Sequence, residues 1–506
     1  MNRVISARPS DNGEASEPSP EVRSLPSAGR GRKAILGLGW SALNNGSATV
    51  IAVIVFVVTS RLLGPYEFGV VALAASIVTF VSCAAPGAFG EAIVQRSRIA
   101  SEHLDTVFWM CAASGVVLYL PILFLASIVA DFSGEPVLAA LLPFIGLKLL
   151  ADLVAVVPQA LVIRAMEFKY IAARTAIGNG VGGLVCVVMA LNGYGLWALA
   201  TAPVITSLVS LAILLRAARW RPGFRLDRAA ARDLMRFGLF SSGNRTLKVI
   251  NLDQMLLGFL AGPAVLGLYF FGKRLYDLLS GVTSGALYPV ATVLFAGVQL
   301  EPNKHIKVYG LAMRAATLAA FPIFSGLYIL SESAIPLVLG SHWHPAVTAI
   351  EAFALIGLLA GLRVPSASLA NGLGRADIWF AFELTRYMLS LTVIVLFIDS
   401  GLGPVMTGLV LVNAAIAPGC YLIARKLIDI SVRQYMKPLM APLVASAIMC
   451  AVILVLPSLV SSMAPGLLLL CQILAGTITY GLVVLSMSAQ EVGEIRRVFA
   501  QGKANG

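Results

Sequence analysis

Long, unbroken apolar runs separated by short polar connections dominate the chain. Fourteen runs qualify: roughly 35–60, 67–90, 105–130, 136–160, 171–191, 195–215, 237–260, 264–297, 308–335, 346–371, 376–398, 402–424, 438–460 and 465–487. A helix needs about 20 apolar residues to cross a hydrocarbon layer about 30 Å thick. Barrel strands would be shorter and would alternate apolar with polar residues, so a strand barrel is disfavoured. The pattern predicts an all-α integral membrane protein of fourteen transmembrane helices. Residues 1–33 differ sharply: rich in Ser, Pro, Glu and Arg, they hold no apolar stretch. They read as a disordered cytoplasmic tail and not as a cleavable signal, which needs such a stretch.

Composition agrees with the pattern. Of 506 residues, 58% are hydrophobic and 12% charged, and the mean hydropathy is +0.87. Ordinary soluble domains are about 45–50% apolar and about 25% charged. A water-soluble enzyme or nucleic-acid binder is thereby excluded. The six cysteines fall inside apolar runs with no CxxC spacing. They read as packing residues, not as a disulfide framework or a metal site.

The net charge of +12 changes the picture once the cations are sorted by connection. With fourteen spans, 29 of the 37 Lys and Arg residues fall on one side, and only Arg61 falls on the other. Cytoplasmic loops of membrane proteins carry this excess. Both termini are therefore predicted to be cytoplasmic. The connection 216–236 is the most basic. Its Arg225, Arg228, Arg232 and Arg236 recur at spacings of three and four, one helix face. It reads as a basic interfacial helix against anionic headgroups.

A motif recurs. Gly64-Pro65-Tyr66-Glu67-Phe68-Gly69 joins the first and second spans, and Gly262-Pro263-Ala264-Val265-Leu266-Gly267 joins the seventh and eighth. Six spans separate the copies, so both turns fall on one face and the repeat is parallel. A weaker echo pairs Pro158-Gln159-Ala160 with Pro365-Ser366-Ala367. The predicted organisation is a tail, 1–33; a six-helix lobe, 34–215; the linker 216–236; a second, pseudo-symmetric six-helix lobe, 237–426; two C-terminal helices, 427–490; and a cytoplasmic tail, 491–506. Cargo is expected in a cleft between the lobes.

Seven cations remain within the spans: Lys148, Arg245, Lys248, Lys273, Arg274, Arg363 and Arg386. The acids at similar depth are Asp152, Asp253, Asp277 and Glu383. Each such charge costs about 2.5–3.5 kcal/mol at mid-bilayer, so they must face one another or a wet cavity. Lys148 with Asp152, Lys273 with Asp277, and Glu383 with Arg386 have the spacing of same-helix pairs. Arg363 has the position to snorkel. Pairing every acid still leaves three cations, which points to an anionic ligand. Arg grips a phosphate through two parallel hydrogen bonds and Lys acts as a point charge. The first span carries no acid but holds Asn44 and Asn45. These suit glycan hydroxyls or hydrogen bonds between helices.

The chain resembles the Wzx-type polysaccharide transporters of the multidrug/oligosaccharidyl-lipid/polysaccharide (MOP) exporter superfamily. The resemblance spans about 35–490. It rests on Arg61-Leu-Leu-Gly-Pro-Tyr-Glu-Phe-Gly69, Gln95-Arg96, Arg164-Ala-Met-Glu-Phe168, Gly193-Tyr-Gly-Leu-Trp-Ala198, Phe237-Gly238, Asp253, Gly267-Leu-Tyr269, Tyr288-Pro289 and Gly340-Ser-His-Trp343. The colanic-acid and succinoglycan exporters are the most similar branch. The resemblance implies a flippase that carries undecaprenyl-pyrophosphate-linked oligosaccharide across a bacterial inner membrane by rocking its lobes. It implies no catalytic residue, metal or cofactor. Membrane lipids, a polymerase and export machinery are the expected partners, with no nucleic acid. Asp253, Asp277 and Glu383 are candidates to take a proton or Na⁺ on the return leg.

Three alternatives follow from the same residues. A polymerase or ligase needs catalytic groups on the outer face, where His342 and His344 flank Trp343. That trio reads instead as an interfacial Trp with incidental polar neighbours. A drug/cation antiporter would prefer an acidic cavity. A lipid II flippase shares the expected fold, cavity charge and carrier.

Overall fold

The computed structural model describes residues 50–85, 89–95, 101–224, 251–285, 287–460 and 463–504. Residues 1–33, Asn44, Asn45, Arg245, Lys248 and the basic run 225–236 lie outside the described residues.

Among the described residues the regular structure is helical. The first half holds α1 (Val50–Leu62), α2 (Pro65–Ser82), α3 (Phe89–Gln95), α4 (Ser101–Ser133), α5 (Leu138–Val154), α6 (Val156–Arg164), α7 (Phe168–Leu191) and α8 (Leu196–Ala218). The second holds α9 (Leu252–Leu260), α10 (Gly262–Thr283), α11 (Leu287–Gly297), α12 (Pro302–Leu339), α13 (Val347–Gly372), α14 (Ala376–Phe397) and α15 (Leu402–Ile428). Two further helices follow, α16 (Val432–Leu459) and α17 (Pro465–Ala504). Among the described residues eleven helices are long and apolar enough to cross a membrane, twelve if the bent pair α10–α11 is one span. Every predicted run contains helix, but the second is split by a turn after Ser82 and the fourth by a break at Ala155.

Helix boundaries follow local chemistry. Pro stands in the first turn of α2, α10 and α12, where its missing N–H costs nothing. Gly340, at φ +113°, ends α12 in backbone that a side chain would strain. A 3₁₀ turn, Ser341–Ala346, follows. Two helices outrun their apolar segments. At 38 residues, α12 is about 57 Å long at 1.5 Å per residue, well beyond one hydrocarbon layer. The helix α17 continues to Ala504, so residues 491–504 extend it where a separate tail was expected. Glu, Gln, Arg and Ala favour helix there.

In the first half α4 packs on α5, α5 on α8, α7 on α8, and α2 on α5. In the second, α13 is central and touches α10, α11, α12 and α15, while α14 lies on α15. The last two helices pack on each other and on α12. The main seam between halves is α2 against α10, the two helices that begin with the repeated motif. Cys111, Cys186 and Cys420 are buried and all six thiols are free.

Candidate functional site

The seam is tight because both motifs supply glycine. A Cβ on Gly69 would stand 1.7 Å from the Pro263 carbonyl oxygen, and one on Gly267 would stand 1.8 Å from that of Pro65. The contact is reciprocal. Other links between the halves gather at the same end. Arg61, at the end of α1, donates from Nε to the Val338 carbonyl at 2.5 Å and from Nη2 to that of Leu337 at 2.8 Å. The last carbonyls of α12 lack intrahelical partners, and a guanidinium there also meets the negative end of the helix dipole. Trp343 Nε1 donates to the Ser60 carbonyl at 2.7 Å, and His342 Nε2 lies 2.9 Å from the same oxygen. Because that partner accepts only, Nε2 carries the hydrogen. Trp343 is fully buried, stacked on Phe271 at 3.9 Å and edge-on to Phe68 at 5.2 Å. The interfacial reading of Trp343 is thus corrected: the rest of the fold covers it because Phe56, Phe68 and Phe271 converge there.

Beneath this closed end lies a cavity of about 430 Å³. Phe56 and Phe270 line it beside Lys148, Asn179, Thr206 and Arg274. Lys148 comes from α5 and Arg274 from α10, so the two halves each contribute a cation. Lys148 is joined to Asp152 one turn on. A second hollow, about 610 Å³, lies between α12, α13, α15 and α16. Its lining is overwhelmingly apolar, with Phe321, Leu362, Tyr421, Tyr435 and Leu439 among the walls.

Of the other charges predicted for the site, Asp253, Lys273, Arg363, Glu383 and Arg386 fall in three polar groups. Lys273 does not pair along its own helix with Asp277; its Nζ lies 2.5 Å from Asp253 Oδ2 on α9. Tyr269 OH donates to the same oxygen at 2.6 Å, and Tyr387 OH accepts from the Leu252 N–H at 3.1 Å. Asp253 Oδ1 is buried with no partner. Across-helix pairing prevails because α9 folds back on α10 through the motif turn, placing Asp253 against the middle of α10. Arg363 does not snorkel. Its Nη2 donates to Tyr276 OH at 3.2 Å and its Nη1 to Asn413 Oδ1 at 3.5 Å. Those neutral partners hold it among α10, α13 and α15. Arg386 donates twice to Glu383 Oε2, at 2.9 and 2.7 Å, within α14.

Tyr276, Tyr387 and Asn413 had not been singled out as partners. Tyr276 falls at helical spacing on the stripe of α10 that carries Tyr269, Lys273 and Asp277, a pattern legible in the sequence. Arg174, one of the 29 cations counted to one side from the sequence, stands inside α7 and donates to Gln159 Oε1 at 3.1 Å. The predicted span began at 171, which put Arg174 at its edge. Among the described residues no group of His, Cys, Asp and Glu is placed to hold a metal ion.

A site of this composition can hold an anion between two cations from different halves, with polar groups nearby for hydroxyls. The comparisons agree with a transporter. The family model described as "Polysaccharide biosynthesis protein" matches residues 58–348. The chain is 26% identical over 391 residues to the succinoglycan biosynthesis transport protein ExoT of Rhizobium meliloti, covering 76% of this chain and 78% of the relative. It is 25% identical over 461 residues to the lipopolysaccharide biosynthesis protein WzxC of Escherichia coli, covering 87% and 89%. Its fold is similar to that of the lipid II flippase MurJ in an inward closed conformation, with a TM-score of 0.71 at 13% identity, over 90% of this chain and 100% of that one. With more than half its length matched by the family model, this chain belongs to the polysaccharide biosynthesis protein family.

Proposed function

We propose that this chain is a lipid-linked oligosaccharide flippase. It carries undecaprenyl-pyrophosphate-linked repeat units from the cytoplasmic to the periplasmic leaflet of a bacterial inner membrane, for exopolysaccharide or lipopolysaccharide synthesis. The observation that carries this reading is the cavity that Lys148 and Arg274 line together from opposite halves. The work is translocation, with no bond made or broken, and calls for no cofactor.

The finer architecture belongs to the same reading. Fourteen spans place 29 cations on one side, which supports cytoplasmic termini and a closed end facing the periplasm. The lobes are then 34–215 and 237–426, joined by the basic linker 216–236, with 427–490 as a flank. The diphosphate sits on the cavity cations, and the apolar hollow beside α16 accommodates part of the polyprenyl chain. Moving one negative charge outward gains up to about 2.3 kcal/mol per 100 mV. The emptied cavity returns when Asp253, Asp277 or Glu383 takes part in neutralising it, with a proton or Na⁺ as the coupling ion. Polymerase and export machinery receive the units outside.

The test is a deletion strain assayed for secreted polymer and for carrier-linked oligosaccharide. Loss of polymer with complete units held at the inner leaflet supports the reading. Units that reach the periplasm yet stay unpolymerised sink it. The fold likeness to the lipid II flippase favours one second reading, export of a cell-wall precursor. Arrested wall synthesis with normal polymer in the same strain would select that reading.

A further inference from the structure

One polar side chain on the wall of the cavity is left without a partner. Asn179 stands midway along the 24-residue α7 and lines the cavity with Lys148 and Arg274. In a membrane span an amide ordinarily hydrogen-bonds a neighbouring helix. Among the described residues the Asn179 amide makes no such bond, and both of its polar atoms are accessible. The two threonines on the same wall differ. Thr59 Oγ1 donates to the Val55 carbonyl at 2.7 Å and Thr206 Oγ1 to that of Gly178 at 3.1 Å, so each hydroxyl is left only to accept. Of the three, Asn179 alone keeps both a donor and an acceptor free. An amide unpaired at this depth is costly unless the cavity supplies its partners.

We propose that Asn179 reads the sugar bonded directly to the carrier diphosphate, its amide donating to one hydroxyl and accepting from the next. The proposal rests on the transport reading above and names which part of the cargo the cavity takes. At about 430 Å³ the cavity is at the small end of ligand sites, which run from about 300 to 1,000 Å³. It suits a diphosphate with one sugar, not a whole repeat unit. With the diphosphate between Lys148 and Arg274, its neighbours in the cargo are a polyprenyl chain on one side and a sugar on the other. An isoprene unit offers an amide no hydrogen bond, whereas sugar hydroxyls both donate and accept. Phe56 and Phe270 give the apolar wall against which a few polar groups fix a ligand's orientation. A membrane glycolipid presents the same hydroxyls without the diphosphate, so the test separates the two sources.

The full chain in phosphatidylcholine nanodiscs is titrated with bare polyprenyl diphosphate and with polyprenyl diphosphate carrying glucose, galactose or N-acetylglucosamine. The wild type is expected to bind at least one glycosylated carrier more tightly than the bare one, by about tenfold, the gain from two neutral hydrogen bonds. Asn179→Ala should bring the two affinities together. Asn179→Ser, which keeps a donor and an acceptor of shorter reach, should fall between, and its ratio serves alone should Asn179→Ala misfold. A wild type that does not discriminate, or a preference that survives in the variants, overturns the proposal and leaves the transport reading intact. Failure of both variants to fold, read from their unfolding temperatures, assigns the amide to helix packing and also overturns it. The matching glycosyl diglyceride competing as well as the glycosylated carrier assigns the subsite to membrane glycolipid, with the same consequence. Absence of binding of every diphosphate carrier to the wild type overturns both readings.

Discussion

Gly69 and Gly267 hold the same place in two copies of one motif, and each lies against the other copy's proline carbonyl. Only a hydrogen in place of a side chain lets two helix starts approach this closely. The motif thus serves twice: its Gly-Pro makes the turn, and its last glycine makes the seam between halves.

Gly69→Ala or Gly267→Ala should open the closed end, since the added methyl would fall 1.7 or 1.8 Å from a carbonyl oxygen. Backbone must separate, and two helices parting relieves the clash more easily than either helix unfolding. Cys186 lines the cavity and is buried. In a variant that keeps it as its single thiol, a membrane-impermeant maleimide applied from the side of the closed end, periplasmic under the orientation proposed above, should label it faster in either glycine variant. Labelling at the wild-type rate would show that the seam is not the barrier.

Trp343 should be the most costly truncation at that end. It has no exposed surface, stacks on Phe271 and donates to the Ser60 carbonyl. Trp343→Ala should cost about 3–5 kcal/mol, and Trp343→Phe, which keeps the stacking and loses the hydrogen bond, about 1 kcal/mol. Thermal unfolding of the purified variants measures both.

Arg274→Ala and Lys148→Ala should each reduce polymer secretion by about tenfold or more, because each removes a cation from the shared cavity. Arg274→Lys should retain more activity than Arg274→Ala, as charge survives where paired hydrogen bonds do not. Normal secretion by Arg274→Ala, at normal protein level, would remove that residue from the site.

Asp253 and Lys273 should behave as a coupled pair. Asp253→Leu leaves the partly buried Lys273 ammonium without its carboxylate, at a cost of about 3–5 kcal/mol. Pairing Asp253→Leu with Lys273→Met should recover most of it, since neither charge is then stranded. Unfolding temperatures of the four proteins close the cycle. Independent, additive losses would show that the two residues do not interact in the membrane.

Much of this was legible in the chain. Apolar runs locate the helices because lipid demands about 20 apolar residues per crossing. The motif at Pro65 and Pro263 marks the seam, and the Lys148–Asp152 and Glu383–Arg386 pairs lie within one helix each, where spacing alone places them. Lys273 shows the limit. Spacing offered Asp277, whereas the fold delivers Asp253, twenty residues away, because α9 turns back along α10. Arg174 was misplaced for a related reason: hydropathy blurs the end of a helix, and a few residues decide between loop and interior.

The amino-acid order alone dictates how many apolar segments there are, which connections between them carry the cations, and that one turn motif occurs twice, since these depend on residue type and spacing along one chain. The tertiary structure alone decides that Lys148 and Arg274 share a cavity, that Trp343 is covered, and which carboxylate Lys273 meets. Those are distances between residues far apart in the chain, and they exist only once helices pack.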